Sequence, residues 1–374
     1  MKISHPKILL LAPPNSIHTI KWANELVKKG FSIYLFGFDA SKNEKYHNLV
    51  RHETFSVPNW IISRGFGSFI KIYYLLSIPK IYKILKKIQP NIIHSHYASS
   101  YGILGAFTRF HPNVVSVWGS DVFSFPDQSF LHKIVLKFVL NRADYILSTS
   151  QFMMQRTKEF TSKEIRVTPF GVDLDIFCKN KKNQCDEIVI GTTKGLEKQY
   201  GIEFLIKAFA RLVNKYSDNK LKLLIIGDGS LRKEMEKLTA DLKISSFVNF
   251  TGFVSNEKIP EYLNTIDIYV AVSIYDDESF GVAIVEAQAC EIPVVVSDAG
   301  GLSEVISNGV TGFVVPKMDS IKTADAIEKL ICDKNLRESF GRAGRERMEK
   351  LFEINSTVNN MVDIYKMILE EKGQ

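Results

Sequence analysis

Residues 268–297 read IYVAVSIYDDESFGVAIVEAQACEIPVVVS, and this stretch decides the fold class. Two short apolar runs, Ile268–Val272 and Pro293–Ser297, flank a run from Val282 to Cys290 that is rich in Ala and Val and contains no Pro. The outer runs are typical of buried parallel strands, and the central run is typical of a buried helix. A strand, a helix and a strand in this order predict a βαβ unit in a parallel sheet.

The same alternation extends over both halves of the chain. Short β-branched runs alternate with amphipathic stretches, so we expect an α/β protein with two doubly wound, Rossmann-like domains. The first series of predicted strands is Lys7–Ala12, Ser32–Phe38, Asn91–Ser95, Val114–Val117, Tyr145–Ser148 and Ile165–Pro169. The second series is Glu187–Thr192, Lys222–Ile226, Val248–Thr251, Ile268–Val272, Pro293–Ser297 and Gly312–Val315.

A polar segment from Cys178 to Asp186 separates the two series and is the predicted linker. We therefore place an N-terminal domain at residues 1–175, a C-terminal domain at 186–350, and a terminal helix within 351–374 that packs back toward the N-terminal domain. Ligands of doubly wound sheets bind at the carboxyl ends of the strands. Two such edges are expected to face each other across a cleft.

Composition limits the classes of function. The 374 residues include 48 Lys and Arg against 41 Asp and Glu, and this net charge of +7 suits an anionic substrate or membrane surface better than nucleic acid. The apolar run at the N-terminus is too short for a signal peptide or a membrane span. We therefore expect a cytoplasmic protein, either soluble or at the inner face of the plasma membrane. The four cysteines show no zinc or redox spacing.

Residues 67–88 mix Lys with Ile, Leu and Tyr and contain no acid. This pattern is typical of a basic amphipathic helix that lies on an anionic membrane. It is also typical of a surface helix whose apolar side packs on its own sheet. The first alternative favours a lipid-linked acceptor, and the sequence leaves both open.

Two carboxylates eight residues apart carry the main functional signal. Glu278 precedes the predicted helix, Glu286 lies inside it, and the first N–H groups of the helix suit a phosphate. This arrangement is typical of a site for a molecule with phosphate and several hydroxyls, such as a nucleotide sugar. The alternative is that Glu278 is a solvated loop acid and Glu286 a paired helix acid.

Lysines follow the first strand of the second domain. Lys194 and Lys198 lie among small residues, and they either bind a diphosphate or are solvated loop lysines. The later stretch Gly227–Gly229 resembles the start of a dinucleotide fingerprint but lacks its third glycine, which disfavours a nicotinamide dehydrogenase.

Polar side chains also end two strands of the first domain. His94 and His96 lie on one face of a strand, but no third ligand is near, so we expect no metal there. His96 is a candidate acid, base or hydrogen-bond donor. Asp121 is a candidate for orienting a substrate hydroxyl or taking its proton, and its alternative role is to cap a helix.

Together these motifs closely resemble family 4 of the retaining glycosyltransferases, which have the GT-B fold. The resemblance covers nearly the whole chain and is densest from Thr168 to Pro316. Its strongest element is the E-x7-E pair of Glu278 and Glu286, and residues 294–306 and 309–313 follow in the family's order. The resemblance implies transfer of a sugar, with retention and without a metal or other cofactor, from a nucleotide diphosphate sugar. The expected acceptor is a hydroxyl of a glycan or lipid-linked molecule in surface polysaccharide or glycoconjugate biosynthesis.

The resemblance also implies roles for single residues. Glu278 would contact the donor sugar near the reacting carbon, and Glu286 would hold the ribose hydroxyls. Lys194 and Lys198 would neutralise the leaving diphosphate, which fixed cations can do without a metal. The backbone at Phe280 and Gly281 would touch the sugar and phosphates, and Val282 at the start of the helix belongs to the same donor-binding set. Phe253 and Val254 would flank the base. Gly171, where the chain enters the linker, is the last expected donor-binding residue.

The chain departs from the family at three places. Residues 14–16, Pro-Asn-Ser, stand where many relatives carry a glycine pair after the first strand. Trp118 stands where many relatives carry a histidine, which directs attention to His96 and Asp121 as catalytic candidates. Tyr200 stands where many carry a second basic residue. The alternatives to a transferase are a sugar-nucleotide epimerase or hydrolase on the same scaffold and a non-catalytic nucleotide-sugar-binding subunit.

Overall fold

The structure is a computed structural model that describes residues 5–38, 45–62, 69–180, 187–216 and 220–372. The chain forms two compact units. The first comprises Met1–Phe170 and Asn355–Gln374, and the second comprises Gly171–Ile354. Each unit contains a parallel sheet with helices, so the predicted fold class is confirmed.

The first unit is built on a seven-stranded parallel sheet in the order β3-β2-β1-β4-β5-β6-β7. Its strands are β1 (Lys7–Leu11), β2 (Ser32–Phe38), β3 (Arg51–Phe55), β4 (Ile92–His96), β5 (Asn113–Val117), β6 (Tyr145–Ser148) and β7 (Ile165–Val167). Its helices are α1 (Ile17–Lys28), α2 (Asn59–Ile62), α3 (Ile78–Ile88), α4 (Gly102–Thr108), α5 (Phe130–Arg142) and α6 (Gln151–Lys158). The central strands are buried because helices cover both faces, which explains their unbroken apolar sequences.

The second unit has a six-stranded parallel sheet in the order β10-β9-β8-β11-β12-β13. Its strands are β8 (Ile188–Thr192), β9 (Leu221–Ile226), β10 (Val248–Gly252), β11 (Ile268–Ala271), β12 (Val294–Ser297) and β13 (Gly312–Val315). Its helices are α7 (Ile202–Lys215), α8 (Arg232–Asp241), α9 (Ile259–Leu263), α10 (Val282–Ala289), α11 (Ser320–Cys332) and α12 (Lys334–Leu351).

A final helix, α13 (Ile354–Lys372), returns the chain to the first unit. The Tyr365 side chain of α13 is fully buried, and its hydroxyl lies 2.5 Å from Nδ1 of His94 on β4. The C-terminal end of the chain is therefore part of the first unit, as the sequence led us to expect.

Within the residues that the structure describes, the sequence located every strand except β3. The predicted strand ends differ from the observed ones by two residues or fewer, as where Ile165–Pro169 is observed as Ile165–Val167. Strand β3 has the sequence RHETF, lies at the edge of its sheet and is half-exposed along most of its length. A strand of this kind lacks the apolar run that revealed the others.

The predicted domain boundary lies too far along the chain. The two units divide between Phe170 and Gly171, because residues after that point bond to the second unit. The backbone of Val172 pairs with Phe352 and Ile354, and Nδ2 of Asn264 donates to the carbonyl of Cys178. Part of the predicted linker, residues 181–186, lies outside the described residues.

For residues 67–88 the structure favours packing over membrane contact along α3. Ile81, Ile84 and Ile88 of α3 are buried in the core of the first unit. Residues 67 and 68 lie outside the described residues. None of the helices in the described ranges combines the length and hydrophobicity that a membrane span needs.

In each sheet the order in which successive strands are added reverses at the first strand. In the first unit β1 lies between β2 and β4, and in the second unit β8 lies between β9 and β11. Loops that follow such neighbouring strands diverge and leave a crevice at the carboxyl edge, where ligands of doubly wound sheets bind. Of the candidate site residues, His96 ends β4, Lys194 follows β8 and Glu278 follows β11.

Candidate active site

The crevice between β8 and β11 brings together a lysine and a glutamate that the sequence singled out. Lys194 lies two residues beyond β8, and Glu278 lies in the loop between β11 and α10. Nζ of Lys194 is 2.8 Å from Oε2 of Glu278. Lys194 is only 8% exposed and Glu278 is half-buried, so this ion pair is shielded from much of the solvent.

The surroundings keep Lys194 charged. Burial alone would lower its pKa, but Glu278, Tyr269 and Tyr200 offset that effect, so the pKa of Lys194 is raised. The Tyr200 ring centroid lies 5.0 Å from Nζ, close enough for a cation–π interaction. The Thr193 hydroxyl lies 2.9 Å from the Tyr269 hydroxyl, and this hydrogen bond helps to fix the Tyr269 side chain beside Lys194. The result is a buried cation at a sheet edge, which suits a phosphate.

A short chain of hydroxyls holds the Glu278 carboxylate. Ser273, which is 1% exposed, donates its hydroxyl to Oε2 of Glu278 at 3.0 Å. Ser297, the last residue of β12, donates its hydroxyl to the Ser273 carbonyl at 2.6 Å. The carboxylate is thus oriented from two neighbouring strands. The sequence did not reveal these serines, although each lies at or just beyond the carboxyl end of a predicted strand.

The glycine pair Gly300–Gly301 supports the loop that carries Glu278. The N–H of Gly301 donates to the Glu278 carbonyl at 2.8 Å. A Cβ at Gly300 would lie 2.4 Å from that same carbonyl oxygen, and the Gly300 φ of +52° is one that favours glycine. Asp276 accepts from the Gly300 N–H at 3.1 Å and pairs with Lys317 at 2.8 Å. The two glycines therefore let their loop approach the Glu278 loop more closely than a residue with a side chain would allow.

Helix α10 begins immediately after this loop. The predicted helix Val282–Cys290 is observed as Val282–Ala289, with Gly281 preceding it. The Phe280 side chain is buried with its ring centroid 5.5 Å from that of Phe352, so only its backbone is available to a ligand. Val282 and Glu286 are half-buried on the helix. Their proposed contacts with donor phosphate and ribose stay predictions.

The other predicted donor-binding residues are less confined. Lys198 is exposed in a short 3-10 turn, Lys198–Tyr200. Phe253 lies one residue beyond β10 and is 83% exposed, Val254 is half-buried, and Gly171 is the buried first residue of the second unit. The roles expected for these residues also stay predictions.

The first unit has an aromatic and histidine cluster at the carboxyl edge of β4 and β5. The His94 and His96 ring centroids are 4.8 Å apart, as expected for one face of a strand. His94 bonds Tyr365 and, at 2.7 Å, the Ser116 hydroxyl. His96 lies 4.2 Å from the Trp118 ring, and its Nδ1 is buried with no hydrogen-bond partner among the described residues. Burial, together with nearby His94 and His18, holds the pKa of His96 well below its usual value.

The geometry of Asp121 favours a structural role over the catalytic one we expected. One of its oxygens accepts from the backbone N–H groups of Trp118 and Gly119 at 3.1 and 2.9 Å, and the other accepts from Ala98 at 2.8 Å. Its side chain is fully buried. Burial raises the pKa of Asp121, and the backbone amides oppose that rise. Asp121 therefore joins the loops that follow β4 and β5.

His18 belongs to this cluster, although the sequence analysis did not single it out. Its ring stacks on Phe170 with centroids 4.1 Å apart, and burial and Lys21 lower its pKa to about 4. It follows β1 at the start of α1, so its place after a strand was the available signal. Among the described residues, no group of three or more His, Cys, Asp or Glu is placed to hold a metal ion.

Comparison with known proteins identifies the family. Residues 7–150 match the family Glycosyl transferase 4-like, and residues 175–347 match the family Glycosyl transferases group 1. The chain is 24% identical to N-acetyl-alpha-D-glucosaminyl L-malate synthase of Bacillus anthracis, over 93% of this chain and 92% of the relative. It is 26% identical to the capsular polysaccharide biosynthesis glycosyltransferase CapM of Staphylococcus aureus, over 92% of each.

A solved structure shares the fold. The crystal structure of Anabaena HepE in complex with UDP aligns with a TM-score of 0.78 and 19% identity, over 96% of this chain and 100% of that one. The two family matches together cover most of both compact units. The chain therefore belongs to the glycosyltransferases that join a family 4-like domain to a group 1 domain on the GT-B fold, and it is an enzyme that transfers sugar.

Proposed function

We propose that the donor is a nucleotide diphosphate sugar, bound at the carboxyl edge of β8 and β11. The observation that carries this proposal is the ion pair between Lys194 and Glu278 at 2.8 Å. A buried, charged lysine suits the leaving diphosphate, and an oriented carboxylate beside it suits a sugar hydroxyl or the reacting carbon. A diphosphate that enters must compete with Glu278 for Lys194, so binding of the donor rearranges this pair.

UDP is the first nucleotide to test, because HepE was crystallised in complex with UDP. The acceptor we propose is a hydroxyl of a glycan or lipid-linked molecule, handled in the cytoplasm at a membrane face. CapM, a relative over most of the chain, is named for capsular polysaccharide biosynthesis, which supports this class. We further propose retention at the transferred carbon and no metal requirement. Proton NMR of the product anomer tests the first, and turnover in a chelator tests the second.

The decisive experiment measures nucleoside diphosphate release from UDP-, GDP- and ADP-sugars, with and without an acceptor glycan or lipid. We expect one nucleotide to be released only when an acceptor is present. Release of free sugar without an acceptor would instead indicate a hydrolase, and conversion of the sugar nucleotide would indicate an epimerase.

Two variants separate catalysis from binding. Glu278→Gln keeps the shape of the side chain, and we expect it to abolish turnover while the nucleotide still binds. Glu338→Gln changes an exposed acid on α12 of the same unit and should leave turnover unchanged. Full turnover by Glu278→Gln would exclude the proposed role of this carboxylate, and binding of donor by a wild type that never turns over would favour a non-catalytic subunit.

A further inference from the structure

Helix α5 exposes large apolar side chains in its first two turns. Phe130 is 76% exposed, Leu131 is 58% exposed and Ile134 is 46% exposed. The opposite side of the helix, which includes Leu136 and Val139, is buried in the core of the first unit. Helix α5 therefore has one apolar side that packs in the core and a second apolar side that faces solvent. Exposed apolar patches on soluble proteins often mark a binding surface.

The exposed side of α5 is also basic. Lys133, Lys137 and Arg142 are exposed on this helix, and α5 contains no Asp or Glu. Upstream, residues 54–120 contain no acid either, and this stretch includes α3 and α4. Apolar and cationic side chains therefore occur together on α5, and the acids that flank the helix, Asp127 and Asp144, pair with Arg156 and His111 outside it.

Neighbouring helices extend the same surface. The Tyr82 hydroxyl of α3 donates to the Phe107 carbonyl of α4 at 3.2 Å, and the Phe107 ring lies 5.6 Å from the Phe138 ring of α5. Tyr82 and Phe107 are 40% and 45% exposed. The three helices thus form one continuous layer. We call its exposed part the α5 surface, formed by Tyr82, Phe107, Phe130, Leu131, Lys133, Ile134 and Lys137.

We propose that the α5 surface docks on an anionic lipid bilayer. Aromatic and aliphatic side chains enter the interface, while nearby lysines are attracted to acidic headgroups. A second copy of the chain fits less well, because it would place like charges opposite each other. The α5 surface shares Tyr82 with residues 67–88 but is centred on α5, because Ile81, Ile84 and Ile88 of α3 are buried in the core.

The position of the surface suits a transferase with a lipid-linked acceptor. Helix α5 follows β5, and a helix that follows a parallel strand begins near the carboxyl edge of the sheet. Phe130 and Leu131 in its first turn therefore lie toward the edge that carries His96 and Trp118. Docking through α5 would bring that edge close to the lipid headgroups. The docking itself does not depend on the donor chemistry proposed above.

Co-sedimentation of the full-length protein with vesicles tests this proposal. The vesicles are phosphatidylcholine alone and an equimolar mixture of phosphatidylcholine and phosphatidylglycerol, each at low and high salt. The triple variant Phe130→Ser, Leu131→Ser, Ile134→Ser should bind the mixed vesicles at least about tenfold more weakly than wild type. The double variant Lys133→Glu, Lys137→Glu should lose binding to a similar extent, and high salt should weaken binding by wild type.

A matched control changes apolar side chains of similar exposure in the second unit. Val310, Met318 and Ile321 are 52%, 58% and 51% exposed, and their triple replacement by Ser should leave vesicle binding unchanged. Thermal melting of each variant checks that it is folded. The proposal is overturned if folded α5 variants bind mixed vesicles like wild type, if wild type binds neither vesicle, or if the α5 variants change only the oligomeric state in size-exclusion chromatography.

Discussion

Replacing Ser273 by Ala tests whether the hydroxyl chain orients the Glu278 carboxylate. The Ser273 hydroxyl is the donor at 3.0 Å from Oε2, and its residue is 1% exposed, so water has little access from that side. A hydrogen bond to a charged group contributes roughly 1.5–3 kcal/mol. Because Lys194 still holds the same oxygen at 2.8 Å, we take the lower part of this range, about 1.5–2 kcal/mol.

If this energy is used in the transition state, kcat/KM for the donor falls about tenfold to thirtyfold. Initial rates of nucleoside diphosphate release measure this fall, and we expect the loss mainly in kcat, since the substitution leaves the proposed diphosphate contacts of Lys194 in place. Ser124→Ala is the matched control, because it removes a hydroxyl that is exposed and bonds a carbonyl in the first unit. A folded Ser273→Ala protein with kcat/KM within about twofold of wild type would refute the positioning role.

Three further predictions concern the supporting structure. Gly300→Ala should lower kcat/KM at least about tenfold, because its Cβ would lie 2.4 Å from the Glu278 carbonyl oxygen, and a circular dichroism spectrum like that of wild type would separate this from unfolding. Asp121→Asn should destabilise the first unit by about 1–3 kcal/mol, because a side-chain amide cannot accept from three backbone N–H groups. Urea unfolding followed by Trp fluorescence measures this loss of stability in the first unit, since all three tryptophans precede residue 171. The first unit should also lose stability as pH falls below about 6.5, because burial lowers the pKa of His94 to about 3 and the unfolded chain then binds a proton that the folded chain excludes. The loss of unfolding free energy from His94 alone is about 2 kcal/mol near pH 5. Equal urea midpoints at neutral and acid pH in the same fluorescence assay would contradict this prediction.

Much of the fold was predictable because buried parallel strands have an unambiguous apolar signature. Strand β3 was missed because an edge strand is half-exposed and its sequence RHETF carries no such run. The domain boundary was misplaced for a related reason. Polar composition marked residues 178–186, whereas the division at Phe170 depends on which unit the next residues bond to, and the sequence does not show this.

The site was partly predictable. Lys194 was singled out because it follows a predicted strand among small residues, and Glu278 because it precedes a predicted helix and lies eight residues before Glu286. The 2.8 Å contact between Lys194 and Glu278 depends on β8 and β11 being neighbours in the sheet, which follows from the topology and not from spacing along the chain. The contacts that Ser273 and Gly300–Gly301 make with Glu278 could not be predicted, because contacts between loops leave no pattern in the sequence of residue types.

The most direct test of the donor site compares nucleotide binding by wild type, Lys194→Met and Glu278→Gln in isothermal titration calorimetry. The titrant is whichever of UDP, GDP and ADP binds wild type. In the structure Glu278 pairs with Lys194, the lysine that we propose binds the diphosphate. We therefore predict that Lys194→Met binds the nucleotide at least about tenfold more weakly, whereas Glu278→Gln binds it as tightly as wild type or more so. Equal affinity for wild type and Lys194→Met would contradict a donor diphosphate at this edge of the sheet.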